Sequence, residues 1–355
     1  MKLFEKKEDV VKYPCWQPGG GKIAYTNLQF NICLFDLDSE ETLKFDRTPE
    51  GVIFADQPAW SPDGKFIYFI YPGEKSRLEA MDVEGHKLIR IVTSEREINE
   101  FVFSRDGSKI AYIESGSKKG SVVQNLVVIN SDGSNSQNVV HIADLKSETF
   151  LMGLRSLSQV SWVGSDRLIF VKEKSVYSID LNSGKQNKLI NDCLHATGNP
   201  VTGVISFLKP DMEFEHYINI HLLDSQTEVR HAPRSQELIA PTKKVPLPSR
   251  PQFMASVWSK PYRSFSWSPN GMKVAFGVIQ HPLKRNPLLK KKYRIEYGSE
   301  NLESSVCVLD TFTLKVTDVM SGGLEALSLP SWNSEGNELV FCGGQDLELY
   351  RIGFH

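Results

Sequence analysis

The sequence predicts an all-β protein, a β-propeller of four-stranded antiparallel blades. A phrase recurs in which an aromatic residue precedes a polar turn and an apolar, β-branched run. A second strand–turn–strand unit follows most copies, and several copies lie about 40–45 residues apart, the length of one blade. The aromatic positions are Trp16, Trp60, Phe103, Trp162, Trp267 and Trp332.

Each repeat contains the parts of two hairpins. After Trp60 comes SPDG, in which proline presets φ and Asp-Gly suits a tight reversal. The next strand, FIYFI at 66–70, is apolar on both faces, as expected for a strand buried between two stacked sheets. The downstream hairpin, of the type CLFDLDSEETLKF at 33–45, supplies the third and fourth strands.

The number of blades depends on one long gap. The aromatic positions are separated by 44, 43, 59, 105 and 65 residues, and the fourth gap is too long for one blade. It contains the strand-like runs TGVISFLK (202–209) and YINIHLLD (217–224), followed by TEVRHA (227–232). We expect a degenerate blade there, so seven blades are favoured over six. The predicted single domain, 1–355, has blades at roughly 10–46, 53–92, 98–143, 156–191, 195–231, 262–320 and 325–355 with 2–6.

The two ends of the chain predict how the ring closes. The last repeat lacks a fourth strand, and KLFEK at 2–6 precedes the first repeat with no partner of its own. Pairing these segments would remove two exposed sheet edges, as closed β architectures do. The N-terminal segment is therefore predicted to complete the final blade.

Composition limits the partners and the compartment. The net charge of −2 argues against a protein-wide field for nucleic acid or anionic membranes. The longest apolar runs fall short of the ~18 residues that span a bilayer. Because the first residues lack a signal-peptide core, a cytoplasmic protein is expected, or a periplasmic one if a signal was removed before residue 1.

The cysteines predict neither disulfides nor a metal site. There are five, with no closely spaced pair, so reduced and mostly buried thiols are expected. No cofactor and no metal are predicted. The positions are Cys15, Cys33, Cys193, Cys307 and Cys342.

The W-S-P-D-G-x-x-I-x-F phrase resembles the repeat of TolB-type propellers, the WD-repeat-like modules of bacterial proteins. The resemblance covers essentially the whole chain. It implies a propeller fold, but such propellers include periplasmic interaction proteins, appendages of peptidases and some polysaccharide lyases, so it implies no single function. TolB itself has six blades, a partner domain and an export signal, and this chain departs from that pattern.

The residues that recur from repeat to repeat are interpreted as structural rather than as ligand-binding residues. The tryptophans of the repeat keep strict phase with it, which favours core packing over a ligand cage. Asp63, Asp106 and Asn270 belong to turns, where such side chains bond the backbone. Gly19–Lys22 superficially resembles a phosphate loop, yet it occupies a repeat turn and lacks the motif's earlier glycine and following hydroxyl.

The insertions indicate a binding face. In an antiparallel blade the loops between strands two and three lie on the same face as the connections between blades. All sizeable insertions fall there, at 115–124, 143–158, 232–262 and 279–304. Loops on a rigid scaffold commonly carry function. That face is termed the insertion face below, and the opposite face, with its short SPDG-type turns, the turn face.

Two insertions supply the candidate binding residues. Phe253, Trp258 and Tyr262 could anchor a partner, since tryptophan and tyrosine dominate binding hot spots. The alternative is that this stretch packs onto the rim or plugs the channel. A basic segment could bind an anionic ligand or an acidic protein, the alternative being a solvated loop. Its residues are Lys284, Arg285, Lys290, Lys291, Lys292 and Arg294.

The sequence contains no linear catalytic motif of the hydrolase, nucleotide-binding or zinc-peptidase type. Glu213, Glu215, His216 and His221 form the densest acid–imidazole cluster, and ordinary surface residues are the favoured interpretation. We therefore expect a non-catalytic scaffold for a protein partner, with an anionic ligand or oligosaccharide as the second class. The alternative is an enzyme acting on an anionic polysaccharide, a lyase or hydrolase, at the channel mouth.

Overall fold

The computed structural model describes the greater part of the chain, and every structural statement below concerns that part. The described residues are 11–27, 29, 31–45, 47–48, 51–52, 56–71, 74–118, 121–146, 160–173, 175–193, 195–199, 201–210, 218–224, 243–244, 265–280, 303–321, 330–343 and 348–354.

Successive segments of the chain form small antiparallel sheets, each beginning with its innermost strand. The first sheet contains β1 (Lys12–Trp16), β2 (Lys22–Thr26), β3 (Ile32–Asp36) and β4 (Thr42–Phe45). A two-stranded ribbon follows, formed by β5 (Arg47–Thr48) and β6 (Gly51–Val52). The second sheet contains β7 (Asp56–Trp60), β8 (Phe66–Tyr71), β9 (Ser76–Asp82) and β10 (Leu88–Ser94).

The third, fourth and fifth sheets repeat this arrangement. The third contains β11 (Glu97–Phe103), β12 (Lys109–Lys118), β13 (Ser121–Asn130) and β14 (Gln137–Lys146). The fourth contains β15 (Val160–Val163), β16 (Arg167–Lys172), β17 (Ser175–Asp180) and β18 (Gln186–Ile190). The fifth contains β19 (His195–Gly198), β20 (Val204–Pro210), β21 (Ile218–Asp224) and β22 (Lys243–Lys244).

The last two sheets differ in strand number. The sixth contains β23 (Phe265–Trp267), β24 (Lys273–Gln280), β25 (Glu303–Asp310) and β26 (Val316–Ser321). The seventh has three described strands, β27 (Ser331–Trp332), β28 (Glu338–Gly343) and β29 (Glu348–Gly353). The described residues thus confirm an all-β fold of four-stranded antiparallel blades, with six complete blades and no helix. The predicted closing strand, 2–6, lies outside them.

The repeated tryptophans tie each innermost strand to the preceding one. Trp16, Trp60, Trp162 and Trp332 are at most 7% exposed, and Trp267 is partly buried, so core packing is confirmed. Four indoles donate Nε1–H to the carbonyl that precedes the aromatic position of the previous sheet. These bonds join Trp60 to Cys15 (3.1 Å), Trp162 to Val102 (3.1 Å), Trp267 to Thr197 (3.4 Å) and Trp332 to Ser266 (2.9 Å).

The first and seventh sheets also pack against each other, so the succession of sheets closes on itself. The Ser331 hydroxyl accepts a hydrogen bond from the backbone N–H of Trp16 at 3.0 Å. The Cys342 thiol lies 2.6 Å from the carbonyl oxygen of Val11. Tyr25 and Leu349 belong to one buried apolar cluster that spans both sheets. The described residues therefore join the two ends of the ring.

The degenerate blade predicted between Trp162 and Trp267 is present as the fifth sheet, with Gly198 in place of the aromatic residue. A Cβ at Gly198 would lie 2.3 Å from Val163 Cγ2 and 3.0 Å from the carbonyl oxygen of Trp162. The innermost strands approach too closely there for a side chain. The fourth strand pairs Lys244 with His221, whereas the segment TEVRHA lies outside the described residues.

The predicted loop at 115–124 is instead mostly a continuation of two strands. β12 pairs with β13 as far as Lys118 and Ser121, whereas the pairing of β11 with β12 ends at Ser115. The run SVVQNLVV is rich in β-branched residues, which favours an extended hairpin over an irregular loop. The third sheet therefore projects beyond its innermost strand on the insertion face.

Candidate functional site

A cavity of about 310 Å³ lies where the innermost strands converge. Residues of β1, β7, β11, β15, β19 and β23 line it, together with β27 and the adjoining Pro330. This is the axis of the ring. The volume is near the lower end of the range of small-molecule sites, about 300–1,000 Å³.

Each sheet contributes to the cavity the residue that precedes its aromatic position. These seven residues give the cavity an apolar side and a polar side. The first three sheets contribute a thiol and two aliphatic groups, whereas the next four contribute hydroxyls. The apolar side therefore faces a side that can donate and accept hydrogen bonds. The residues are Cys15, Ala59 and Val102, then Ser161, Thr197, Ser266 and Ser331.

Backbone and side-chain partners fix two of the hydroxyls. Ser161 Oγ accepts the backbone N–H of Gly198 at 3.0 Å and lies 3.3 Å from the Thr197 hydroxyl. Ser331 Oγ is engaged by the Trp16 backbone, as described above. The polar side of the cavity is therefore held by the same contacts that join neighbouring sheets.

Glu100 and His195 are the acid and the imidazole of the cavity lining. They are 5% and 2% exposed, and each lies three residues before the aromatic position of its strand, towards the insertion face. Glu100 Oε1 accepts the backbone N–H of Val160 at 3.4 Å. The His195 ring lies 5.3 Å from that of Phe265. Together these groups could exchange a proton with a ligand or bind its polar atoms.

The turn carboxylates act structurally, as predicted. The Ser61 hydroxyl donates to Asp63 Oδ1 at 2.5 Å and lowers the pKa of that carboxyl. Ser104 does the same for Asp106 at 2.7 Å. Asn270 replaces the aspartate in the sixth sheet and accepts the Ser268 hydroxyl at 2.7 Å. An uncharged amide oxygen serves equally, so these groups are turn acceptors rather than ligands.

The cysteines are mostly buried, as predicted. All five are free thiols; four are buried and Cys15 is partly buried. Among the described residues no group of three or more histidine, cysteine or acidic side chains could hold a metal ion. In the same part of the chain, no helix has the length and apolar character needed to cross a membrane.

The predicted binding residues Phe253, Trp258 and Tyr262 and the basic segment 284–294 lie outside the described residues. Glu213, Glu215 and His216 do as well, whereas His221 belongs to β21.

Sequence reasoning missed Glu100 and His195. Their signal is present in the sequence: each is an ionisable residue in an innermost strand, at a position that is uncharged in the other repeats. Recognising it requires the repeat alignment, including Gly198 as an aromatic-position equivalent.

Several solved structures share this architecture. An oligogalacturonate lyase from Vibrio parahaemolyticus aligns with a TM-score of 0.63 and 11% identity over 99% of this chain and 91% of the lyase. A candidate TolB from Agrobacterium tumefaciens aligns with a TM-score of 0.51 and 15% identity over 92% of this chain and 98% of that protein. The protein is a β-propeller. The likeness confirms the predicted TolB-type resemblance at the level of the fold.

A third propeller belongs to a longer protein. The acylaminoacyl peptidase from Pyrococcus horikoshii aligns with a TM-score of 0.60 and 13% identity over 98% of this chain and 51% of the peptidase. No protein-family model matches the sequence, and no curated protein matches it significantly. At these identities the propeller comparisons establish the fold alone.

Proposed function

We propose that this propeller is a non-catalytic binding scaffold that presents its insertion face to an anionic partner, a protein or an oligosaccharide. The observation that carries the proposal is the projection of the third sheet. Its strands β12, β13 and β14 each run ten residues and extend past β11 on that face. In the sixth sheet, β24 and β25 likewise pair beyond β23, as far as Gln280 and Glu303.

A polar network supports the projecting part of the third sheet. Glu114 accepts hydrogen bonds from Arg96 Nη1 at 2.9 Å, Ser94 Oγ at 3.1 Å and Asn125 Nδ2 at 3.3 Å. Gln124, which is fully buried, donates to Ser115 Oγ at 3.1 Å. Satisfied buried networks rigidify the structure around them. This projection is suited to hold a partner beside the channel mouth.

The basic segment between β24 and β25 favours a partner that carries negative charge. Lys290, Lys291 and Lys292 would attract carboxylates, and Trp258 in the neighbouring insertion would supply an apolar anchor. In the chain, the insertion that contains Trp258 precedes the sixth sheet, and the basic segment lies between two strands of that sheet. An acidic ligand with an apolar part matches this combination.

Labelled polygalacturonate and labelled polyglutamate test the proposal by fluorescence anisotropy. We expect at least one to bind intact protein, with an affinity that falls as salt rises. Replacing Lys290, Lys291 and Lys292 together by glutamate should abolish this binding, and Trp258→Ala should weaken it. Lys185→Glu and Lys188→Glu, in and beside the outer strand of the fourth sheet, provide matched exposed charge reversals. Equal binding by the triple variant would contradict the proposal.

A second candidate is catalysis on an anionic polysaccharide, favoured by Glu100 and His195 at the insertion-face end of the cavity. The structural likeness to a lyase supports it only through the shared fold. In a lyase, one of these groups would remove the proton next to the carboxylate of a uronate. The neighbouring glycosidic C–O bond would break, the leaving sugar oxygen would take up a proton, and the uronate would be left with a carbon–carbon double bond. Glu100→Gln and His195→Asn should then abolish product formation while binding remains. Absence of an ultraviolet-absorbing product from intact protein would exclude the lyase reaction.

We also infer that residues 2–6 complete the three-stranded sheet as a seventh blade. The start of the described chain supports this, because the Val11 carbonyl already lies against Cys342 in β28. Val11 is fully buried in the cluster that joins the first and seventh sheets. Deleting residues 1–9 should therefore lower the melting temperature. An unchanged melting temperature would contradict the closing strand.

A further inference from the structure

The cavity on the axis of the ring has a negatively charged group deep in its wall. Glu100 is 5% exposed, and it is the one carboxylate of the described lining. Among the described residues that line the cavity there is neither a lysine nor an arginine. Moving a carboxylate out of water is costly, and a positive charge beside it offsets that cost. The wall therefore favours a positively charged ligand over a negatively charged one.

The charges of the surrounding strands favour the same sign of ligand. The described innermost strands contain three acidic residues, Asp56, Glu97 and Glu100. They contain one lysine, Lys12, which does not belong to the cavity lining. His195 does belong to it, and a neutral imidazole has one nitrogen that accepts a hydrogen bond. An anionic ligand would have to lie near Glu100 without the lysine or arginine partner that binds carboxylates most strongly.

The polar side of the cavity supplies further hydrogen-bond acceptors. A primary ammonium group has three N–H donors and no acceptor, so a single carboxylate does not satisfy it. A hydroxyl oxygen has two lone pairs that can accept. The Gly198 N–H uses one lone pair of Ser161. The Trp16 N–H uses one lone pair of Ser331. These hydroxyls therefore retain the capacity to accept a proton from an ammonium group.

The cavity also offers room and apolar surface for the body of an organic ligand. Phe101, Phe103 and Phe265 contribute to the lining, together with Ala59 and Val102. Aromatic rings pack against apolar groups and attract organic cations. The volume of about 310 Å³ equals that of about ten water molecules. This is enough for one ring with a short side chain.

We propose that the axial cavity binds a small organic amine, whose ammonium group contacts Glu100 and whose apolar body packs against the phenylalanines. A metal ion suits this wall less well than an organic cation. The described residues provide no group of three or more histidine, cysteine or acidic side chains that could hold one. The site lies on the ring axis, and the inference does not depend on binding at the insertion face.

Three probes of similar shape test the proposal by isothermal titration calorimetry on the intact protein. At pH 7 phenethylamine is positively charged, phenethyl alcohol is neutral and phenylacetate is negatively charged. We expect phenethylamine to bind at least tenfold more tightly than phenethyl alcohol, because only the amine forms a charge-assisted hydrogen bond with the buried carboxylate. Phenylacetate should bind most weakly of the three.

Substitutions in one strand separate the buried carboxylate from general electrostatic attraction. Glu100→Gln preserves the shape and an oxygen that can accept the Val160 N–H. It should weaken phenethylamine binding about tenfold and leave phenethyl alcohol binding unchanged. Glu97→Gln is the matched control, because it removes an exposed carboxylate of the same strand outside the lining and should change neither affinity. Ala59→Leu fills part of the apolar side and should weaken both probes.

Several outcomes would overturn the proposal. Phenethylamine could fail to bind, could bind no more tightly than phenethyl alcohol or phenylacetate, or could bind Glu100→Gln as tightly as the intact protein. Should Glu100→Gln fail to fold, the order of the three probes on the intact protein still decides. Displacement of phenethylamine by digalacturonate would make a uronate the occupant of the cavity and would favour catalysis there. Binding of labelled polygalacturonate at the insertion face is measured separately, so either site can fail without the other.

Discussion

The innermost strands of the fourth and fifth sheets fill equivalent positions in opposite ways. Trp162 is a buried indole whose Nε1–H bonds to the Val102 carbonyl oxygen at 3.1 Å. Gly198 has no side chain, and its backbone N–H bonds to Ser161 at 3.0 Å. Yet the carbonyl before Gly198, that of Thr197, still accepts the indole of Trp267. The acceptor carbonyl is thus retained even where the aromatic residue is lost.

The largest effect is expected from removing the indole. Trp162→Ala should lower the free energy of unfolding by about 3–5 kcal/mol, because it leaves a cavity between the third and fourth sheets and exposes a buried carbonyl. Urea denaturation followed by circular dichroism measures the change. A loss below about 1 kcal/mol would show that the sheets are joined mainly by other contacts.

Adding a side chain at Gly198, the second position in this comparison, should also destabilise the protein. Gly198→Ala places a methyl group 2.3 Å from Val163 Cγ2 and 3.0 Å from a backbone oxygen, so neighbouring atoms must shift. Overpacking of this kind costs about 1–3 kcal/mol, measurable by the same denaturation. Gly353→Ala is the matched control, since a Cβ there meets nothing within 4 Å. Equal stability of the two variants would contradict the close approach at Gly198.

A smaller effect is expected from losing only the indole N–H. Trp332→Phe keeps most of the ring but removes the 2.9 Å bond to the Ser266 carbonyl oxygen, which should cost about 1 kcal/mol. Trp16→Phe is the comparison variant, because its indole bonds within its own turn, to Gly20 at 3.1 Å. Thermal denaturation should show the larger loss for Trp332→Phe. The reverse order would show that the bonds between sheets matter less than the bond within the turn.

The smallest effect is expected in the pH dependence of the stability that the turn carboxylates contribute. Hydrogen bonds from Ser104 and the Ser108 backbone hold the pKa of Asp106 below its usual value. The folded pKa therefore lies below the unfolded one, about 3.9. The stabilisation is present above pH 4 and is lost as the pH falls through the folded pKa. Asp106→Asn should reduce the loss of melting temperature between pH 5 and pH 3 relative to intact protein. An unchanged acid dependence would exclude this carboxylate as a contributor.

Much of the fold could be predicted because tryptophan and the SPDG turn are conspicuous at regular spacing. Trp60 and Asp63 identify the second sheet from local sequence alone. Gly198 could not be recognised in this way. The close approach of two strands requires glycine there, so the sequence has no aromatic side chain that would mark the position as part of the repeat. The extension of β12 and β13 differs from the loop that the sequence predicts at 115–124, because the residues that pair across the two strands are a property of the fold and not of the local sequence.

The candidate site was less predictable for a related reason. Glu100 and His195 are far apart in the chain and are brought to one cavity by the ring, so no local pattern joins them.

One titration tests the central claim, that the insertion face binds an anionic partner without converting it. Labelled polygalacturonate is added to intact protein while anisotropy and ultraviolet absorbance are recorded on the same sample. The account predicts saturable, salt-sensitive binding with constant absorbance, and loss of that binding when Lys290, Lys291 and Lys292 are replaced by glutamate. A steady rise in absorbance that Glu100→Gln abolishes would contradict it and identify the cavity as a catalytic centre.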